Sequence, residues 1–168
     1  GFLLERFLAY LNARNLSNII PKEVEGIYDA EKYKKLLDYE KVNYKFSAIT
    51  STFSLLLILF MLFSGGFAII DNFLRQYTSN PILLALLFFG VIFLASDLLN
   101  TPFDIYDTFV IEERFGFNKT TWRTYILDKI KGWLLAAVFG GLILSAIIWF
   151  YYKTIDMFWI YGWIVVSL

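Results

Sequence analysis

The residues of this sequence that could carry out chemistry are concentrated in one polar stretch, residues 97–123, set between long apolar blocks. Its carboxylates are Asp97, Asp104, Asp107, Glu112 and Glu113. Carboxylates that lie close together can bind a divalent cation or act as general acid and base. The spacing of the last four matches no known cation-binding loop, so it gives little support to either kind of chemistry.

Two residue types that many active sites require are absent. The sequence contains no histidine and no cysteine, so its residues cannot form a His or Cys zinc site, a Ser-His-Asp triad or a Cys-His pair. The formal net charge is zero, which argues against a nucleic-acid partner. We therefore predict no catalytic residue and no metal ligand in this chain.

A second polar feature is a helical spacing in the first part of the stretch. Asp97, Asn100, Thr101 and Asp104 fall on one face of a helix. A carboxylate within a membrane is a functional hypothesis by default, and this face could line a water-filled cavity. Alternatively the helix has already left the hydrocarbon near Asp97, about 16 residues after Pro81, and the face is simply solvated. The spacing leaves both interpretations open.

The apolar blocks around this stretch are long enough to cross a membrane. The chain of 168 residues is 58% hydrophobic and 20% aromatic, and residues 46–70, 76–96 and 132–152 carry no charge. About 20 apolar residues in a helix cross the hydrocarbon layer. Shorter apolar segments lie at 1–11 and 157–168. We predict an all-α fold class, a polytopic helical membrane protein with a bundle of about four to five transmembrane helices and a juxtamembrane cytoplasmic helix.

The predicted elements have the following order and boundaries. A partial first helix covers 1–13, a cytoplasmic segment covers 14–45, and helices cover about 46–72, 80–101, 121–152 and 156–168, the last one truncated. Good helix formers after Asp29 predict a juxtamembrane helix that continues into the span at 46–70. Pro102 is expected to kink or end its helix. Both chain ends lie in apolar segments, so we expect a piece of a longer protein.

Lysine and arginine residues alternate between the connections. Residues 14–45 and 102–131 are rich in them, whereas the connections near 71–80 and after 152 contain only Arg75 and Lys153. Positive charge accumulates on the cytoplasmic side of membrane proteins. The loops 14–45 and 102–131 are therefore predicted to be cytoplasmic.

The polar loop after the predicted helix 80–101 has the features of an ordered segment. Gly116 between two phenylalanines predicts a turn with close backbone approach. Asn118, Thr120 or Thr121 could cap the helix that follows. These features predict an ordered loop and leave its role open.

Residues 102–121, PFDIYDTFVIEERFGFNKTT, resemble the signature of the CAAX prenyl protease family of membrane zinc metalloproteases. In that family a proline, a tyrosine and the run F-V-I-E-E-[KR]-[HF]-G-F-N follow the third membrane helix. Pro102, Tyr106 and residues 109–118 match this pattern, with phenylalanine at the position where members have His or Phe. Residues 33–46, 128–131 and 158–163 also resemble the family, so the resemblance covers nearly the whole chain.

The resemblance implies a fold and an activity for the parent protein. Members have seven membrane helices around a water-filled chamber, and an H-E-x-x-H helix and a later Glu hold zinc at the cytoplasmic end. Those ligands follow the fifth helix, so zinc is expected in the parent and none in this chain. The chain would be the non-catalytic chamber wall of a zinc metalloendopeptidase that cleaves the C-terminal regions of prenylated or other membrane-associated substrates, in a bacterial inner membrane or a eukaryotic ER membrane.

The resemblance also assigns roles to residues. Asp97, Asn100, Thr101 and Asp104 would face the chamber water. A cytoplasmic cap would dock the C-terminal zinc protease domain of the parent, and Glu112, Glu113 and Arg114 would pair with that domain or with each other. The predicted cap and docking residues are Pro102, Tyr106, Glu112, Glu113, Arg114, Gly116, Phe117, Asn118 and Thr121.

Two other function classes fit the residues without the resemblance. A small transporter or channel bundle could use the face from Asp97 to Asp104 as its pathway, and ion flux in liposomes would identify it. A membrane assembly factor could bind a partner through its cytoplasmic loops, and copurification of that partner without zinc or proteolysis would identify it.

Overall fold

The computed structural model describes residues 2–14, 29–155 and 157–167, which form helices joined by turns. No strand occurs in these ranges, so the predicted all-α class is confirmed. The chain divides into two compact units. The first consists of Gly1–Met61 and Leu99–Lys119, and the second of Leu62–Leu98 and Thr120–Leu168.

Seven α-helices follow one another along the described chain. They are α1 (Phe2–Arg14), α2 (Ala30–Phe63), α3 (Gly66–Leu74), α4 (Pro81–Tyr106), α5 (Trp122–Leu135), α6 (Gly141–Thr154) and α7 (Phe158–Ser167). Two π-helical segments, Asp107–Glu112 and Ala136–Gly140, continue α4 and join α5 to α6. Some residues of the predicted elements lie outside the described residues. They are residue 1 of the first helix, residues 15–28 of the cytoplasmic segment, and residues 156 and 168 of the last helix.

Helix α2 combines the predicted juxtamembrane helix and the following span in one rod of 34 residues. Asp29 caps its start, because its Oδ1 accepts a hydrogen bond from the Glu31 amide at 3.1 Å. The helix predicted over about 46–72 is interrupted, however. Gly65 adopts the left-handed conformation (φ 69°) between α2 and α3, and glycine enters that region without a steric penalty. The absence of charge predicted an apolar segment correctly but could not locate this break.

Helix α4 is longer than the predicted helix over 80–101. Asn80 caps its start by accepting hydrogen bonds from the amides of Ile82 and Leu83, and Pro81 occupies the first turn, where no amide donor is needed. The expectation that Pro102 kinks or ends the helix is wrong as to the ending, since Pro102 lies inside α4. Prolines are tolerated in membrane helices because neighbouring groups satisfy the freed carbonyl. The π-helical segment then begins at Asp107.

Three rods in the described ranges are long and apolar enough to cross a membrane: Glu31–Phe63, Pro81–Glu112 and Trp122–Thr154. Many of their large apolar side chains, such as Leu56, Phe89 and Leu142, are exposed. Apolar surface of this extent is typical of helices that contact lipid. The chain is an integral membrane protein.

Candidate functional site

The predicted cap and docking residues run from Pro102 and Tyr106 on α4, through the turn that follows, to Thr121. We define the cap as residues 107–118, which consist of the π-helical segment Asp107–Glu112 and the turn after it. Gly116 has φ 67°, and the amides of Phe117 and Asn118 donate hydrogen bonds to the Glu112 carbonyl. This pattern is typical of a helix that ends at a left-handed glycine. The predicted turn at Gly116 is therefore present.

The cap is attached to the N-terminal part of α2 through aromatic contacts. The Tyr39 ring meets Phe115 and Phe117 edge-on, with centroid distances of 5.5 and 5.0 Å. The Lys35 ammonium lies 5.6 Å from the centre of the Phe117 ring, within the range of a cation–π interaction. We call these four side chains the aromatic clasp.

The clasp coincides with the best-buried part of the first unit. Leu37 of α2 is 4% exposed, and Ile111 and Phe115 of the cap are 3% and 8% exposed. Pro102 and Tyr106 precede the cap on α4, and the Tyr106 ring lies 5.4 Å from Phe46. Apolar burial and aromatic contact thus fix the cap to α2.

The polar residues of the cap make contacts within the cap, and pairing with the protease domain stays a prediction. Glu113 accepts a hydrogen bond from the Asn118 amide group at 2.9 Å, rather than pairing with Arg114. The Arg114 guanidinium lies 5.6 Å from the Phe115 ring centre. Glu113 and Arg114 are exposed, which leaves these charges accessible to another domain.

Of the predicted capping residues, Thr121 begins helix α5. Its hydroxyl oxygen accepts a hydrogen bond from the Thr124 amide at 3.2 Å, and its extended backbone (φ −90°, ψ 158°) is the conformation usual for an N-cap residue. Asn118 instead stabilises the cap turn through Glu113. The loop is therefore fixed at both ends, which agrees with the prediction of an ordered segment.

A polar cavity of about 380 Å³ lies between α2 and the end of α4 in the first unit. Asn100 and Asp104 line it together with Asp107, and from α2 come Asn43, Ser47, Thr50, Ser51 and Ser54. Asp97 and Thr101 are not among the described residues that line this cavity. The helical spacing thus places two of the four predicted face residues at one cavity.

The α2 side of this cavity is a feature that the sequence analysis missed. Polar side chains recur every three or four residues along one side of α2. This α2 stripe consists of Glu40, Asn43, Tyr44, Ser47, Thr50, Ser51 and Ser54. A search for charged residues passes over Ser, Thr and Asn, whereas a search for polar periodicity in the uncharged block would have found the stripe.

The hydroxyl groups of the α2 stripe are compatible with a membrane helix. Thr50 and Ser51 both donate to the Ser47 carbonyl, as serine and threonine commonly do within helices. Their protons are thereby satisfied within α2, and their oxygens remain acceptors. Thr50 and Ser51 consequently offer acceptors to the cavity.

A second polar cavity, of about 310 Å³, lies between α1 and α2 and shares Asn43 and Ser47 with the first. The Arg6 guanidinium donates to Ser47 Oγ at 3.4 and 3.5 Å. Glu40 also lines this second cavity. The shared residues make the α2 stripe a continuous polar surface that contacts α1 on one side and α4 on the other.

Asp97 takes part in a different arrangement, within the second unit. Its Oδ2 accepts hydrogen bonds from Lys129 Nζ at 2.8 Å and from the Trp133 indole nitrogen at 3.0 Å. Both partners lie on α5, one turn apart, and the Lys129 and Asp97 side chains are 16% and 27% exposed. Asp97 therefore connects α4 to α5 through a charge-assisted pair.

The chain does not supply the residues of a zinc site. Histidine and cysteine are absent from the sequence, and the described residues contain no group of three or more carboxylates placed to hold a metal ion. Asp104 and Asp107 are the two carboxylates of the cavity. The sequence therefore excludes a zinc site that is built from His or Cys ligands.

Residues 9–168 match the family model described as CAAX prenyl protease N-terminal, five membrane helices. The chain is 30% identical to the CAAX prenyl protease 1 homolog of Caenorhabditis elegans, over 99% of this chain and 37% of that protein. It is 31% identical to the probable CAAX prenyl protease 1 of Schizosaccharomyces pombe, over 97% of this chain and 38% of that protein.

The fold is also similar to a solved structure. The crystal structure of S. mikatae Ste24p superposes with a TM-score of 0.83 and 28% identity, over 95% of this chain and 39% of that one. The chain spans well under half the length of the relatives that it matches.

Proposed function

Since this chain belongs to the CAAX prenyl protease family and corresponds to its N-terminal membrane part, we propose that its cap docks the zinc protease domain of the parent protein. The α2 stripe, Asn100 and Asp104 form part of the wall of the water-filled chamber. The parent protein cleaves the C-terminal regions of prenylated or other membrane-associated substrates.

The observation that carries the docking proposal is the aromatic clasp. A loop that served only as a connection would not need Phe115 buried to 8% exposure or two ring contacts to Tyr39. The clasp fixes the backbone of the cap while the charges of Glu113 and Arg114 remain exposed. A fixed surface with accessible charges suits a partner domain, because little conformational entropy is lost on docking.

Zinc enters the proposal only at the level of the family. Members are zinc metalloproteases, and the residues of this chain do not fit a zinc site. The ligands therefore belong to the protease domain of the parent. The role of this chain is to hold that domain and to keep a hydrated space in the membrane beside it.

The lysine and arginine distribution supports the placement of the cap at the cytoplasmic surface. The cap lies in the predicted cytoplasmic loop 102–131, together with Arg114, Lys119 and Arg123. The membrane would be a bacterial inner membrane or a eukaryotic ER membrane. In either case the protease domain would dock from the cytoplasm.

Substitution of Glu113 and Asn118, which form a hydrogen bond within the cap, tests the docking proposal. In the full-length parent protein, we expect Glu113→Gln and Asn118→Ala each to lower kcat/KM for a peptide substrate about fivefold or more, or roughly 1 kcal/mol of transition-state stabilisation. The zinc content per chain, measured by atomic absorption, should equal that of the wild type. Glu31→Gln is the matched control, since Glu31 is an exposed carboxylate in the first turn of α2. Full activity in both cap variants would contradict docking through this surface.

A further inference from the structure

We propose that the polar cavity between α2 and α4 is a subsite for a positively charged side chain, lysine or arginine, of the peptide substrate. The proposal rests on the proposed function, since it concerns the substrate of the parent protease. It adds a charge preference that depends on Asp107 and Asp104, which line the cavity from the end of α4.

The hydrogen-bonding groups of the cavity favour a donor. The hydroxyl protons of Thr50 and Ser51 are directed to the Ser47 carbonyl, so their oxygens face other groups as acceptors. The carboxylates of Asp104 and Asp107 are acceptors as well. An ammonium group has three donors and no acceptor, and a guanidinium group has five donors, so either ion matches this wall.

The charge of the cavity also favours a cation. No lysine or arginine occurs among the described lining residues. Arg6, which lines the adjoining cavity, donates to Ser47. Asp107 Oδ1 is shielded from solvent and has no hydrogen-bond partner among the described residues. A shielded carboxylate oxygen without a hydrogen-bond partner is costly, and a ligand that supplies a donor removes that cost.

The backbone at Asp107 is consistent with a binding role. Asp107 is the first residue of the π-helical segment, and π-helical turns within α-helices frequently occur at functional sites. The cavity volume of about 380 Å³ falls in the range of ligand sites. Asp107 lies about 39 Å along the helix from Pro81, so the cavity opens near the cytoplasmic end of the span, on the side proposed for the protease domain.

A peptide side chain fits this cavity better than a metal ion does. A divalent cation requires six or more oxygen ligands or a tight octahedral set, and no group of three carboxylates meets in the described part of the chain. Two carboxylates beside serine, threonine and asparagine side chains suit one monovalent organic cation. We therefore assign the cavity to a lysine or arginine side chain.

The test uses the full-length, zinc-loaded parent enzyme and a fluorogenic peptide that it cleaves. At each position on both sides of the scissile bond, one peptide carries lysine and a second carries norleucine. Norleucine has the four-carbon side chain of lysine without the ammonium group. At one position we expect kcat/KM for the lysine peptide to exceed that for the norleucine peptide about tenfold. Asp107→Asn should reduce this ratio to below about threefold. Asp128→Asn, which removes an exposed carboxylate in the second unit, should leave the ratio unchanged.

Two outcomes would overturn the inference while the parent remains an active protease. One is a lysine-to-norleucine ratio near one at every position in the wild type, a result that needs no variant. The other is an unchanged ratio in well-folded Asp107→Asn and Asp104→Asn enzymes. If the parent protein bound no zinc and cleaved neither these peptides nor casein, the proposed function would be wrong. The inference would then fail with it.

Discussion

At the scale of single residues, Gly116 determines whether the cap can form. Its φ of 67° lies in the left-handed region, and a Cβ at this position would stand 3.5 Å from Lys35 Nζ. The space is thus adequate, and the backbone conformation is the obstacle. We expect Gly116→Ala to destabilise the protein by about 1–2 kcal/mol, the cost of placing an L-residue in that region. Thermal unfolding in detergent measures the change.

Gly132 provides a matched control for the same substitution. It lies inside α5 with no atom within 4 Å of an added Cβ, and its φ is not positive. Alanine is favoured over glycine inside a helix by up to about 1 kcal/mol. Gly132→Ala should therefore raise the unfolding temperature slightly or leave it unchanged. Equal destabilisation by the two substitutions would show that the left-handed turn is not the cause.

The Lys129–Asp97–Trp133 contact is a second residue-scale feature with a measurable contribution. Lys129→Met removes the charge-assisted hydrogen bond from the Lys129 ammonium group to the partly buried Asp97 carboxylate, so we expect a loss of about 1.5–3 kcal/mol. The additional change Asp97→Asn should restore part of that loss, because a neutral amide does not need the charge. A double-mutant cycle on thermal unfolding tests this coupling.

The control for this cycle is Lys131→Met on the same helix. Lys131 pairs with Asp128 at 3.5 Å, with both side chains more than half exposed. Exposed pairs contribute at most about 1 kcal/mol and often nothing measurable. If Lys131→Met destabilised the protein as much as Lys129→Met, loss of a lysine from α5 in general would explain the effect.

At the scale of elements, the aromatic clasp should hold the cap against α2. Tyr39→Ala removes the ring that contacts both Phe115 and Phe117, so we expect faster hydrogen exchange at the cap amides, residues 109–118. Local opening of a segment is faster when its apolar contacts are removed. Tyr39→Phe keeps the ring and should leave exchange unchanged. Hydrogen exchange is measured by mass spectrometry. If Tyr39→Ala did not change exchange at residues 109–118, the aromatic clasp would not be what holds the cap.

Local backbone chemistry was the part of these elements that the sequence predicted well. Gly116, Thr121 and Asp29 each act through groups within a few residues, and each is found in the predicted kind of turn or cap. The run of helix formers after Asp29 likewise predicted that α2 continues into the span.

Three features depended on information that residue types alone do not contain. Pro102 lies inside α4, and membrane helices tolerate a proline where neighbouring groups satisfy the freed carbonyl. Gly65 ends α2 inside an uncharged block, where the absence of charge indicates only a position in the membrane. The pairing of Asp97 with Lys129 joins residues 32 positions apart, and helical spacing within α4 cannot predict a partner on α5.

At the scale of the whole molecule, the α2 stripe predicts water inside the membrane. Ser54 lies about 14 Å along α2 from Lys45, close to the middle of a hydrocarbon layer about 30 Å thick. It nevertheless lines the polar cavity with Asn100 and Asp104. Polar groups at that depth are stable where they line a hydrated space. A chamber would place Ser51 and Ser54 in water and the opposite side of α2 in lipid.

The absence of cysteine from this chain makes the prediction testable by single-cysteine labelling. In vesicles containing the parent protein, with cysteines elsewhere replaced, Ser54→Cys should react with a water-soluble thiosulfonate at least about tenfold faster than Leu56→Cys. Thiols react as thiolates, which form readily only where water is present.

Without a membrane Leu56 is the more accessible of the two, with 59% of its surface exposed against a half-buried Ser54. Only burial of Leu56 in lipid and hydration of the stripe can reverse that order. If Leu56→Cys reacted as fast as Ser54→Cys in vesicles, the α2 stripe would not line a hydrated chamber, and the cavity would have to be closed by protein instead.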